Sequence, residues 1–377
     1  MTEKATRSAE EWTLGVEEEY QIIDPGTRQL CPREAQILPK AEARLGDQVT
    51  TEFHQSQIEI ATPVCGTLAD VRAQLKRARQ AVIEAAGRDG RRIAAAGTHP
   101  FSESRAQLIT EKPRYKDMAE QYQALAHELV IFGCHVHVAL EDQEAAIGVL
   151  NRTRHWLAPL LALSASSPFW DGKDTGYASY RTELWVRWPM AGPPGAFADR
   201  AEYEALVAAL VQSGSISDPT KIYWDVRLPA KTPTLEFRVA DVCPSLDDAV
   251  LLAGLARGLV RTFHTQVVRE EPFAPARPEL IRAAHWRAAR YGLEGELMNV
   301  DAARLVPAPE LVQSLLALVR PALEEAGDWD EVSGLTEQTL RRGNGAMRQR
   351  AVFARRGNVE DVVNFLVQET AEGIAKQ

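Results

Sequence analysis

The chain has 377 residues, of which 43 are Lys or Arg and 52 are Asp or Glu, giving a net charge of −9 with histidine neutral. At 45% hydrophobic and 25% charged residues it has enough apolar surface to offset the entropy of ordering, which excludes a disordered chain. The acidic balance argues against broad nucleic-acid binding, which needs a basic footprint, but leaves an anionic substrate open to a local arginine cluster or a bound cation.

Residues 1–11 are polar, lack the apolar stretch of a signal peptide and read as a disordered N-terminal tail. The segment TLGVEEEYQIID is rich in strand formers and closes at the turn Asp24-Pro25-Gly26. QSQIEIATPV reads as a second strand that ends near Pro63. Thr67 then caps a helix, with Asp70 at the third position of a capping box. Leu68, Val71, Leu75, Ala78 and Val82 follow helical spacing, and Gly87 suits the stop. Arg72, Lys76, Arg77 and Arg79 lie mostly off that stripe and read as a solvated face.

RRIAAAGTHP reads as a short buried strand running into a loop at 97–100. A helix around 116–130 precedes the strand IFGCHVHVAL, and a helix around 144–164 precedes the loop SSPFWDGKDTGYASYR. A helix from Glu202 to Val211 leads to two more strands, IYWDVRL and PTLEFRVAD. Beyond Asp247 the pattern is almost wholly helical. No clean linker is visible, so residues 12–377 read as one α+β domain with a helical C-terminal part.

Several chemistries find no support. GxGxxG and GxxxxGK[ST] are absent, as is the GxSxG elbow. Cys31, Cys65, Cys134 and Cys243 have no CxxC spacing, which argues against structural zinc and a disulfide scaffold and for a reducing compartment. Leu157 to Trp170 is the longest weakly polar run and is too short to span a bilayer. A cytoplasmic protein without membrane or nucleic-acid partners is the expectation.

Strand parity points to chemistry. Alternate side chains face opposite ways. In LGVEEEYQI, Glu17 and Glu19 share one face, and Leu14, Val16, Tyr20 and Ile22 the other. Glu18 falls on the apolar side and needs a structural role or an arginine partner. In QSQIEIAT, Glu59 opposes Ile58 and Ile60; in GCHVHVAL, His135 and His137 oppose Val136 and Val138. In TLEFRVAD, Glu236 and Arg238 oppose Leu235, Phe237 and Val239. One such strand is ordinarily just wet on its polar side. Four together predict a sheet whose polar face is a site.

Carboxylates with one or two imidazoles suit a divalent cation, Mg²⁺ or Mn²⁺ by their oxygens, with imidazole tilting towards Mn²⁺ or Zn²⁺. Mg²⁺ on such a face is usually completed by substrate phosphates. Arg181, Arg227 and Arg238 are candidates to hold phosphates or a carboxylate bidentately. For Arg227 a salt bridge is an equal alternative. Parity counted back from Glu59 sets Glu52 on the opposite side and excludes it as a primary ligand.

The segments LGVEEEY, EFHQSQIEIATPVC, GTHPF, GCHVHV, LALSASSPFWDGKDTGYASYR, IYWDVR, PTLEFRVAD and AMRQRAVFARRGNVEDVV occur in one order. In that order the chain resembles the YbdK-type carboxylate–amine ligases, also called type 2 glutamate–cysteine ligases, from about Trp12 onward. Each motif alone is weakly specific; the eight in order are specific for family, and less so for substrate.

The resemblance implies a catalytic domain like that of glutamine synthetase and the guanidino kinases, with a curved antiparallel sheet flanked by helices. It implies ATP-dependent amide formation through an acyl phosphate, with ATP and Mg²⁺ (Mn²⁺ as alternative); foremost is γ-glutamyl transfer to cysteine, with a related acid or another amine left open as substrates and a homo-oligomer suggested by the family alone. Carried onto this chain, it makes Glu17, Glu19, Glu59, His135 and Glu236 metal ligands. Arg238 becomes the phosphate clamp, with Glu59 and Arg181 beside it in catalysis. Tyr180 with Arg181 would hold phosphate or the substrate carboxylate; His137, Arg227 and Thr98 would contact nucleotide or substrate. Arg348 and Gln349 could cover the site or form a capping salt bridge. Two alternatives remain at this point: a metal-dependent amidohydrolase on the same face, separated by nucleotide dependence, and a non-catalytic nucleotide or metabolite sensor, against which the intact acidic set argues.

Overall fold

The computed structural model describes residues 12–374; the tail expected over residues 1–11 lies outside the described residues. In chain order, β1 (Leu14–Ile23) is followed by α1 (Glu34–Leu45), β2 (Val49–Thr51), β3 (Gln57–Ala61), α2 (Leu68–Arg88) and β4 (Arg92–Ala94). Helices α3 (Pro113–Tyr122) and α4 (Ala124–Glu128) lead into β5 (Gly133–Ala139). Then come α5 (Gln143–Thr153), α6 (Leu157–Ser164), the short pair β6 (Phe169–Trp170) and β7 (Lys173–Asp174), and α7 (Tyr180–Trp185). They are followed by β8 (Ala191–Gly192), α8 (Arg200–Gln212), β9 (Tyr223–Trp224), β10 (Val226–Arg227) and β11 (Thr234–Asp241). The rest is α9 (Leu246–Val268), α10 (Pro278–Tyr291), the hairpin β12 (Glu296–Asn299) and β13 (Arg304–Pro307), then α11 (Ala308–Ala326), α12 (Trp329–Arg342), α13 (Gly345–Arg356) and α14 (Val359–Thr370).

The large sheet runs β10-β11-β5-β1-β3-β2, with β4 beside the far end of β1, and every pairing in it is antiparallel. The alternation holds. Leu14, Val16, Tyr20, Val136, Val138, Leu235 and Phe237 are buried beneath α2, α6 and α9, each such side chain contributing ~1.5–3 kcal/mol by leaving water. Gly15, Glu17 and Glu19 look the other way. Register then sets Glu17 opposite His135, Glu19 opposite Glu59, and Glu236 opposite His137.

Local signals explain most elements, including the Thr67–Asp70 capping box of α2: the Asp70 amide donates to the Thr67 hydroxyl, and the Thr67 amide to the Asp70 carboxylate, both at 3.0 Å. Four expectations need correction. The helix around 116–130 is two, parted at Gln123 with φ +50°. The helix around 144–164 is also two, joined by a turn at 154–156, because Pro159 has no N–H to continue the ladder. The helical tail contains the β12–β13 hairpin.

The fourth correction is Arg79, which belongs to no solvated face. It stands one turn after Leu75, pointing at the sheet, and is wholly buried. Its Nε donates to Glu18 Oε2 at 2.9 Å, Nη2 donates to the other Glu18 oxygen, and Nη1 and Nη2 reach the Pro244 and Cys243 carbonyls at 2.9 Å. A carboxylate buried on the apolar face needs such a counter-charge.

Candidate active site

The polar face of the sheet opens into a cavity of about 580 Å³. Glu17, Glu19 and Glu59 line it from β1 and β3, His135 from β5, Arg227 from β10, Arg238 from β11 and Arg181 from the first turn of α7. Phe53, Tyr115, Trp185, Trp188 and Tyr223 form an aromatic wall, and Arg114 and Lys231 add further positive charge. Such a concave site with convergent polar groups is of the size that takes small molecules.

Three ligand atoms, one each from Glu17, His135 and Glu236, lie within 4.8 Å of one another. His135 Nδ1 is 2.9 Å from Glu17 Oε2, and His137 Nε2 is 3.4 Å from Glu17 Oε1. Burial and the Arg238 charge push the His135 imidazole down to about 4, so it is neutral near pH 7 and free to ligate. Burial pushes Glu17 up, but hydrogen bonds from His135 and His137 outweigh it and hold the carboxyl well below its usual range. Glu236 is likewise pulled down to about 2, the charges of Arg238 and Arg227 overcoming its burial. Arg227 Nε donates to Glu236 Oε2 at 2.6 Å, and Arg238 Nη1 donates to Oε1.

Glu19, Glu52 and Glu59 form the opposite case. Burial and the Glu52 charge push Glu19 up to about 8. Burial raises Glu52, and burial with the charges of Glu52, Glu17 and Glu19 raises Glu59 well above its usual value. Glu52 thus lines the cavity with the others, correcting its exclusion. It lies just past the end of β2, so parity counted back along β3 does not reach it across the turn. Crowded carboxylates that repel one another in this way suit a divalent cation by donor chemistry.

Arg181 is held from below. Its Nη1 is 3.9 Å from Asp241 Oδ1, and Nη2 is 3.4 Å from the Arg238 carbonyl. Asp241 is fully buried and accepts from the Ser166 amide at 2.8 Å, the Ser167 hydroxyl at 2.7 Å and the Ser179 hydroxyl at 2.8 Å. Sequence parity sets Asp241 with Phe237 and Val239. A register shift between Phe237 and Ala240 turns it to the site face, opposite Gly133. Sequence reading passed over it. Gly133 is itself required, since a Cβ there would come within 2.6 Å of Arg181 Nη2, and its amide donates to Glu19 at 2.8 Å.

Other candidates lie elsewhere. His137 stands between Glu17 and Thr234, its Nδ1 3.2 Å from the Thr234 hydroxyl. Thr98 does not line the cavity: it is buried and donates to the Phe169 carbonyl at 2.8 Å. Tyr180 does not line it either, and packs against Trp170 and Tyr177. Arg348 bonds Asp248 and Glu369, both at 2.8 Å, and Gln349 is buried against the Ser166 carbonyl, so this pair ties the helical tail down rather than covering the site. His54 is buried and bonded to Gln57.

Comparison with known proteins is consistent along the chain. The profile of glutamate–cysteine ligase family 2 matches residues 13–365. A protein of Rhodopirellula baltica, provisionally named glutamate–cysteine ligase 2, is 42% identical over 363 residues, covering 95% of this chain and 96% of its own. One from Frankia alni, provisionally named glutamate–cysteine ligase 2-2, is 43% identical over 372 residues, with 95% and 97% covered. Among solved structures, the glutamate–cysteine ligase of Francisella tularensis, in complex with AMP, superposes with a TM-score of 0.74 at 11% identity, over 97% of this chain and 90% of that one. The bifunctional glutathione synthetase of Pasteurella multocida gives 0.71 at 19% identity over 96% of this chain, which spans about half (52%) of that protein. These likenesses show the expected fold, an antiparallel sheet flanked by helices, while the family match and close relatives establish that the chain belongs to glutamate–cysteine ligase family 2.

Proposed function

We propose that this protein is an ATP-dependent carboxylate–amine ligase whose most fitting reaction joins the γ-carboxyl of glutamate to the amine of cysteine. The observation that carries the reading is the convergence of Glu17, His135 and Glu236 within 4.8 Å, flanked by Glu19, Glu52 and Glu59 and faced by three arginines. A cation-binding cluster beside fixed guanidinium groups is what phosphoryl transfer requires.

In the first step a carboxylate oxygen of the acid attacks the γ-phosphorus of ATP, the bond to the β–γ bridging oxygen breaks, and ADP leaves. In the second the amine attacks the acyl carbon, phosphate leaves with the C–O electron pair, and the amine gives up its proton. Glu17, His135 and Glu236, with Glu19, Glu52 and Glu59 beside them, would hold Mg²⁺ or Mn²⁺, which would supply charge neutralisation for the phosphoryl group and ADP. Arg238, anchored by Glu236, donates to the equatorial phosphoryl oxygens. Arg181, held by Asp241, orients the acid or the phosphoryl group, and Arg227 keeps Glu236 ionised. The aromatic wall of Phe53, Trp185, Trp188 and Tyr223 excludes water from the acyl phosphate.

The test incubates purified protein with Mg²⁺, ATP and a panel of acids and amines that includes glutamate and cysteine. Mass spectrometry should find ADP together with a product whose mass is acid plus amine minus water. Absence of ADP with every pair, or cleavage of amides without nucleotide, overturns the ligase reading.

A further inference from the structure

The motif AMRQR at residues 346–350 opens α13 and plays no part in the steps above. Its helix is fitted against the chain that leaves α6. Asn344 Nδ2 donates to the Ala162 carbonyl at 2.8 Å, and the Ala346 amide donates to the Ala165 carbonyl at 2.9 Å. Gly345 lets the two backbones close, since a Cβ there would stand 2.7 Å from Ser166 Cβ and 3.2 Å from its Cα. One turn on, and on the same helix face, Gln349 is buried and its Nε2 donates to the Ser166 carbonyl at 2.6 Å. Arg350 holds the same segment further along: Nε and Nη2 donate to the Asp174 carboxylate at 2.9 and 2.8 Å, and Nη2 also donates to the Tyr177 carbonyl at 2.8 Å.

Gln349 thus grips the peptide plane between Ser166 and Ser167. At the other edge of that plane the Ser167 amide donates to the Ala178 carbonyl at 3.1 Å, so the plane is fixed from both sides. The two serines carry the seat of Arg181. The Ser166 amide donates to Asp241 Oδ2 at 2.8 Å. The Ser167 hydroxyl donates to the same oxygen at 2.7 Å and accepts from the Arg181 amide at 3.0 Å. Ser167 therefore joins the carboxylate beneath the Arg181 guanidinium to the backbone of Arg181 itself. No other donor among the described residues reaches the Ser166 carbonyl. Without the Gln349 donor that buried oxygen is unpaired, which is costly, and the plane regains a partner only by turning.

We propose that Gln349 is a positioning residue for the reaction: from α13 it sets the Ser166–Ser167 peptide and, through the Ser167 hydroxyl and Asp241, the placement of Arg181 in the site. The assignment rests on the ligase reading, in which Arg181 orients the acid or the phosphoryl group. It gives the helical tail a part in the chemistry although no side chain of α9 to α14 lines the cavity.

The test uses Gln349→Met, which keeps the length of the side chain and removes the donor, and Gln349→Glu as a second variant; thermal unfolding checks folding, and either folded variant suffices. Glu369→Gln is the control, since Glu369 bonds Arg348 of the same helix at 2.8 Å and its loss loosens the tail without touching Ser166. Hydrogen–deuterium exchange on the free protein is read over residues 166–181. Exchange there at least about fivefold faster in the Gln349 variant, with α2 and α9 unchanged and the control like the parent, supports the assignment. ADP formation should lose at least about fivefold in kcat/KM, and combination with Gly133→Ala, which unseats the same arginine, should stay within about threefold of the greater single loss instead of multiplying. A smaller change in either readout, exchange raised equally along the chain, losses shared by the control, or losses that multiply overturn it. If the parent forms no ADP with any acid and amine, the ligase reading falls, and exchange alone decides whether Gln349 holds the seat of Arg181.

Discussion

Glu18 and Arg79 form a wholly buried ion pair on the covered face of the sheet, between the two carboxylates Glu17 and Glu19 that look into the site. The Tyr20 hydroxyl donates to the same carboxylate at 2.5 Å. The pair fixes β1 to α2 at the very residues whose neighbours must be placed accurately. Removing one partner leaves the other charged and buried. Arg79→Met should therefore destabilise the protein by about 3–5 kcal/mol, read as a shift in urea midpoint. The double change Glu18→Met with Arg79→Met should recover much of that loss, and a single-variant cost below about 1 kcal/mol contradicts the account.

Arg238→Ala and Glu236→Gln test the phosphoryl clamp. Removing a fixed donor from developing charge typically costs about 10²–10³ in kcat. Each variant should lose at least two orders of magnitude in ADP formation, with circular dichroism unchanged. Rates near those of the parent in either would break the assignment.

Gly133→Ala tests the seating of Arg181 above Asp241. The added methyl meets the free end of the Arg181 side chain at 2.6 Å and His135 Nε2 at 3.0 Å, rather than backbone. The arginine end can shift into the cavity it lines, but moving it off buried Asp241 should cost about 0.5–3 kcal/mol in unfolding. Displacing Arg181 from its seat above Asp241 should lower kcat/KM at least tenfold. An unaffected kcat/KM would show that the position of Arg181 is immaterial.

His99 gives a pH dependence away from the site. It is buried, Nε2 donates to the Arg28 carbonyl at 2.9 Å, and Nδ1 accepts from the Phe101 and Ser102 amides at 3.1 and 2.9 Å. Burial pushes it down to about 3 from an ordinary 6.5. The unfolded chain takes up the proton first, so the stabilisation is present above about pH 6.5 and is lost as pH falls towards 3. The slope from this one group approaches about 1.4 kcal/mol per pH unit inside that window. Denaturant midpoints should fall between pH 6.5 and 4 in the parent, and less steeply in His99→Gln. Parallel slopes would dismiss the role.

The site was legible wherever a strand kept strict alternation. Glu17, Glu19, Glu59, His135 and Glu236 reach one face because a period of two is a local property of the chain. Glu18 could be foreseen to need an arginine, but which arginine could not, since Arg79 lies at the edge of a helical stripe and only packing decides its side. Glu52 and Asp241 were missed for a related reason. A turn lies between Glu52 and the strand used to count it, and a bulge precedes Asp241, and each resets the alternation. Thr98 and Tyr180 were carried in by likeness to a family, and the fold turns them to other neighbours. The two broken helices and the late hairpin depended on Pro159, on a single left-handed residue at Gln123, and on packing among distant elements.

The order of strands in the sheet has a consequence for the newborn chain. β11 pairs directly with β5, and β5 with β1, so Glu236 meets Glu17 and His135 only once the ribosome has released the segment that ends at Asp241. Until then the acidic cluster lacks its guanidinium counter-charges from Arg227 and Arg238. Contacts between positions so far apart close slowly, and a fragment truncated before β10 would carry Glu17, Glu19, Glu52, Glu59 and His135 without Glu236, Arg227 and Arg238, so it should show no ligase activity.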